Sequence, residues 1–90
     1  MPVLRIPTPW RVYTDGQAEL RLDGSTAGAM MAMLVQAYPA LRPHLYNSQG
    51  ELRPYVNLFL NGENLKSRQG LETPLEADDR LMLVPAVAGG

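Results

Sequence analysis

The stretch "TAGAMMAMLVQAY", Thr26 to Tyr38, decides the fold of this 90-residue chain. Ala, Met and Leu dominate it and β-branched residues are scarce, which predicts one long helix. Ser25 or Thr26 can offer an N-cap oxygen to the first-turn amides, and Pro39 ends the pattern. A stripe of Ala27, Met30, Met31, Leu34, Ala37 and Tyr38 is expected to face inward, with Met33 and Val35 off it. On both sides of this helix the hydrophobic period drops to two. Upstream, "VLRI" (Val3 to Ile6), closed by Pro7 and Pro9, and "AELRL" (Ala18 to Leu22), ended by Asp23-Gly24, read as a hairpin. Their connection, residues 7–17, is long for a tight turn and reads as a loose loop. Downstream, residues 39–52 hold two prolines, an Asn-Ser pair and Gly50, a connecting loop with room for one short helical turn. "YVNLFL", Tyr55 to Leu60, is the clearest strand, with Asn61-Gly62 as its exit turn and a short strand to follow near Leu65. A turn at Asp78-Asp79 then leads to a last strand from Arg80 to Val84 or beyond.

With 46% hydrophobic residues, the chain can bury one core without a metal or disulfide, and it has no room for a second. One helix between two pairs of strands must cover one face of a single sheet. A right-handed crossover then sets the first and last strands side by side and parallel in the middle. The expected fold is therefore α+β, a β-grasp of the ubiquitin-like kind: a mixed four- to five-stranded sheet covered on one face by one main helix. Residues 1–86 form the domain and residues 87–90 a flexible tail.

The alternation also says what faces away from the helix. Val56, Leu58 and Leu60 share one side of their strand with the better aliphatic character for a core, and Leu81 and Leu83 do the same in the last strand. Phe59, Met82 and Val84 then fall together on the opposite face. An apolar patch on an uncovered sheet face is a candidate partner interface. The other reading is that residues 39–52, or the tail, fold over it.

Charge and composition exclude several classes. Eight basic and nine acidic side chains are interspersed, with a formal net charge of -1, so no block exists to neutralise a run of phosphates or hold an anionic membrane. Neither nucleic acid nor membrane is an expected partner. The absence of cysteine removes a disulfide framework, a zinc knuckle and a catalytic thiol. No apolar run approaches the roughly 20 residues of a spanning helix, and the N-terminal segment lacks a signal-peptide core, so a cytoplasmic protein is expected.

The sequence closes on "PAVAGG", residues 85–90. With glycine at roughly 7% of residues, a chance pair at these two positions is on the order of 0.5%. The two glycines have no Cβ and adopt any φ/ψ, Ala88 keeps the next position small, and Val87 is the last sizeable side chain. Gly89-Gly90 after the last strand of a β-grasp, with the "NGENL" turn before it, resembles the ubiquitin-like sulfur carriers of the molybdopterin-synthase small-subunit and thiamine-sulfur-carrier type. The resemblance covers essentially the whole chain. "RIPTPWR", "RPYVNLFLNGEN" and "GLETPLEADDRLMLVPAVAGG" look most like the branch serving O-phosphoserine-dependent cysteine synthase. Carriers for tRNA thiolation and molybdopterin synthesis end similarly.

The resemblance implies no enzymatic activity and no bound cofactor. It implies adenylation of the Gly90 carboxylate by a ubiquitin-activating-type enzyme that uses ATP, then conversion to a thiocarboxylate. The adenylating enzyme would dock on Phe59, Met82 and Val84 while Val87, Ala88 and Gly89 thread its active site. The sulfur acceptor would be a pyridoxal-phosphate cysteine synthase, with a deubiquitinase-type metalloprotease releasing cysteine afterwards. The alternative is a ubiquitin-like protein modifier, joined to target lysines through Gly90. The tail holds no cation, so recognition of the tail itself is expected to be steric and hydrophobic.

The remaining polar residues read as structural. His44, the sole histidine, has no Ser, Asp or Cys placed by motif. Asp78-Asp79 lacks the spaced ligands of a calcium loop and reads as a turn, so no metal site is expected. "GSTAG", Gly24 to Gly28, opens a helix but lacks the lysine and spacing of a phosphate loop. Lys66, the sole lysine, reads as a solvated side chain, and Met30, Met31 and Met33 as core fillers.

Overall fold

The computed structural model describes residues 1–86. Five strands, β1 (Val3–Arg5), β2 (Glu19–Arg21), β3 (Val56–Leu60), β4 (Glu63–Asn64) and β5 (Arg80–Pro85), form one sheet in the order β2-β1-β5-β3-β4. The first and last strands lie parallel at its centre, with Leu4 opposite Leu81 and Arg5 opposite Met82. All other pairings are antiparallel. This is the β-grasp topology expected from the order of elements.

Helix α1 (Ala27–Ala37) lies across one face, begun by Thr26, whose hydroxyl accepts from the Ala29 amide at 3.1 Å. Its buried residues are Ala27, Met30, Met31, Leu34 and Val35. Val35 is thus in the core and Ala37 is exposed, the reverse of the expected stripe. The reason is angular: positions i, i+3, i+4, i+7 and i+8 from Ala27 include residue 35 and skip 37. Met33, at 42% exposure, stands off the core as expected.

One connection is more ordered than the sequence suggested, and a second holds the short helical segment expected of it. Residues Thr8–Thr14 form a 3₁₀ helix that buries Trp10 and Thr14, where a loose loop was expected. Its start is preset by the prolines at 7 and 9, and it ends on Asp15 at φ 55° and Gly16 at φ 79°. Residues Pro39–Leu41 make a 3₁₀ turn leading into a short helix α2 (Arg42–Leu45), and Leu41 and Leu45 enter the core. Both segments therefore close the helix side of the sheet.

Candidate functional site

The inward set of the sheet is as the alternation demands: Leu4, Leu20, Val56, Leu58, Leu60, Leu81 and Leu83 are all buried against α1. The outward set is left open. Phe59 and Met82 are direct cross-strand partners, and Asn57 pairs with Val84 in the same register. Phe59 and Val84 are half-buried, while Met82 is 45% exposed. The sequence reading thus placed these three side chains on the correct face and next to one another. Residues 39–52 do not cover them, since that segment packs on the helix side.

These residues line a shallow depression of about 430 Å³. Val3 and Arg5 of β1 and Arg80 of β5 also line it, as does Glu19 of β2. The sequence reading missed Val3, although the parallel pairing of β1 with β5, which brings it there, was deducible from the topology. Glu19 meets the Arg5 guanidinium at 3.4 Å and that of Arg80 at 3.7 Å. All three side chains are about half exposed or more, so each pair contributes at most about 1 kcal/mol. The site is an apolar strip with a charged margin, able to bury a partner's side chains.

The strip runs toward the point where the chain leaves the sheet. Pro85 is the register partner of Val56, and the Ala86 amide donates to the Tyr55 carbonyl at 2.6 Å. Ala86 is therefore held by a hydrogen bond that extends the β3–β5 ladder beyond Pro85. Val87, Ala88, Gly89 and Gly90 lie outside the described residues.

The other singled-out residues fall elsewhere. His44, in α2, packs its ring on Tyr13 at 4.6 Å between centroids and nears Trp10 at 6.3 Å. Asp79 closes its turn by accepting from the Glu76 amide at 2.7 Å. Among the described residues no three His, Asp or Glu side chains gather to hold a metal, and no helix is long and apolar enough to cross a membrane. In "GSTAG", a Cβ on Gly24 would sit 2.6 Å from the Met30 nitrogen, so glycine there serves close backbone packing. Tyr46, which no sequence signal marked, is half-buried beside Arg42. Burial pushes its phenol up, opposed in smaller part by that guanidinium.

Comparison with known proteins points to one group. A model described as the ThiS family matches residues 5–90. The "Sulfur carrier protein CysO" of Mycobacterium tuberculosis is 36% identical over 87 residues, 94% of each chain. The "Small archaeal modifier protein 1" of Haloferax volcanii is 33% identical over 89 residues, 90% of this chain and 98% of that one. Among solved structures, a chain of the Amycolatopsis orientalis BexX/CysO complex superposes with a TM-score of 0.89 at 27% identity, covering 100% of both chains.

Proposed function

Because the chain belongs to the ThiS family of ubiquitin-like sulfur carriers, which are carriers rather than catalysts, we propose that it carries sulfur on the carboxyl group of Gly90. The observation that carries this reading is the continuity of the open strip with the strand end. Phe59, Met82 and Val84 lead to Pro85 and Ala86, and the family match extends through the diglycine. From Ala86, four extended residues reach at most about 14 Å, enough to enter a partner's active site while the sheet face stays docked.

The chemistry follows from the electrophilicity of a carboxyl group. A Gly90 carboxylate oxygen attacks the α-phosphorus of ATP in the partner enzyme, expelling pyrophosphate and forming an acyl-adenylate. A sulfide sulfur then attacks the carbonyl carbon, and the bond to the AMP oxygen breaks. The product is a thiocarboxylate, with AMP leaving as the anion. The carrier supplies position and no acid or base, so its contribution is the raised effective concentration of the terminus in the active site. With no cysteine in the chain, no internal thiol competes for the activated acyl group.

The acceptor we infer is a pyridoxal-phosphate cysteine synthase acting on O-phosphoserine, with a deubiquitinase-type metalloprotease freeing cysteine. The similarity to CysO across 94% of the chain supports this branch. A second reading is conjugation of Gly90 to protein lysines, supported by the 33% identity to an archaeal modifier. Molybdopterin synthesis and tRNA thiolation are further outlets for the same thiocarboxylate.

Incubation with the adenylating enzyme from the same genome, ATP and sulfide, followed by thiol alkylation and tandem mass spectrometry, separates these readings. A label on Gly90 is expected, and a Gly90-deleted chain should stay unlabelled. Adenylation without label, together with Gly90 in amide linkage to lysines in lysates, would establish the modifier instead.

A further inference from the structure

Cations are placed unevenly over the domain. Arg5 and Arg80 share Glu19, and Arg68 meets Glu63 at 3.8 Å. Arg11, Arg53 and Lys66 have no carboxylate within 4 Å among the described residues. Each is instead held by a backbone carbonyl: Arg11 Nε donates to Ile6 at 3.0 Å, Arg53 Nε to Pro43 at 2.8 Å, and Lys66 Nζ to Pro54 at 3.1 Å. A carbonyl fixes the position of a cation without cancelling its charge.

All three anchors lie at the end of the sheet from which the chain departs. Arg11 lines a depression of about 280 Å³ with Val84 and Pro85. Pro54 and Arg53 directly precede Tyr55, whose carbonyl holds the Ala86 amide. Arg42 borders a further depression beside Arg53, and Glu51, the acid next along the chain, approaches Asn47 at 3.4 Å. The opposite end of β5 carries Glu76, Asp78 and Asp79 before Arg80, with Arg21 beside Val3 as a further cation, whereas the exit end holds Asp15, whose amide donates to the Arg11 carbonyl, and Glu51 among its cations. A six-residue strand, about 20 Å long, therefore separates an end with an excess of acids from one with an excess of cations within a chain of net charge -1.

Resting on the carrier reading, we propose that Arg11, Arg53 and Lys66 form a basic collar around the root of the tail. This collar docks on a carboxylate-rich rim at the mouth of the adenylating enzyme's channel. The residues after Pro85 include no cation, and their one charge is the carboxylate of Gly90. A collar at their base orients the encounter tail-first, while the acidic end of the domain is repelled. Such complementarity acts mainly on encounter and is screened by salt.

The test is ATP–pyrophosphate exchange by the adenylating enzyme from the same genome, with the full chain as substrate. The triple variant Arg11→Gln, Arg53→Gln, Lys66→Gln keeps a donor at the Nε position of each arginine and removes all three charges. At low salt it is expected to raise KM about tenfold with kcat unchanged. The wild-type KM should rise with sodium chloride and the variant's should not. Restoring charge with Arg11→Lys, Arg53→Lys, Lys66→Arg should recover the low KM. An unchanged KM, or a salt response that persists in the Gln variant, overturns the collar and leaves the carrier reading intact. A lost salt response with unchanged KM and a lowered melting temperature would assign the cations to the chain's own carboxyl terminus, and overturns it too. Wild type that no adenylating enzyme activates overturns both.

Discussion

Along β5, Leu81 and Leu83 are buried under α1, while Arg80 and Met82, which alternate with them, are exposed on the other side. β3 repeats the contrast, with Val56, Leu58 and Leu60 inward and Asn57 and Phe59 half-buried outward. One face is covered by α1, α2 and the 3₁₀ helix at Thr8–Thr14, and the other is approached only at its edge, by Thr8 and Arg11, among the described residues. Both faces contain large apolar side chains, so hydrophobicity alone does not distinguish them. The difference is that the covered face holds the fold together, whereas the open face has apolar area whose burial awaits a second molecule.

Substitutions of neighbouring residues should split along this line. Leu83→Ala, 1% exposed, is expected to cost about 2–5 kcal/mol in urea unfolding, while Met82→Ala costs less than about 1 kcal/mol. Comparable losses at the two positions would erase the distinction between faces. Phe59→Asp should lower kcat/KM for activation by about 30-fold or more, the size of an interface hot spot, with a stability loss below about 2 kcal/mol. A loss of several kcal/mol would mean that Phe59 belongs to the fold rather than to the interface.

Thr26→Ala tests the covered side from its edge. Losing the hydroxyl that accepts from the Ala29 amide should cost about 1 kcal/mol and leave activation unchanged. The smallest effect is expected at Tyr46, whose phenol is raised above its ordinary 10.0 chiefly by burial. The folded state then holds this proton more tightly than the unfolded chain. Its contribution to stability is complete below pH 10.0 and is lost as pH rises through the folded value. The melting temperature should fall more steeply above pH 10.0 in wild type than in Tyr46→Phe. Identical slopes would place the phenol in water.

What could be read before the fold was known depended on range. Spacing alone puts Val35 outside the core and Ala37 inside, because it passes over the i+8 neighbour of Ala27. The helix itself was clear. The 3₁₀ helix at Thr8–Thr14 was invisible because two prolines in a short stretch signal a break, and only burial of Trp10 and Thr14 makes that segment regular. Within the candidate site, Phe59, Met82 and Val84 were legible from alternation, whereas Val3 depended on a pairing between residues near opposite ends of the chain.

The sequence by itself determined the main helix, the long strands, their order and the faces of β3 and β5, because helix propensity, turn residues and side-chain period are local properties. Only the tertiary structure decided where the charges went. Arg11, Arg53 and Lys66 are separated by 42 and 13 positions along the chain, with acids interspersed among them. They converge on one end of the sheet because the parallel β1–β5 and antiparallel β3–β5 pairings bring their anchors there. A Coulomb field depends on distance in space, and no local pattern in the chain encodes that distance.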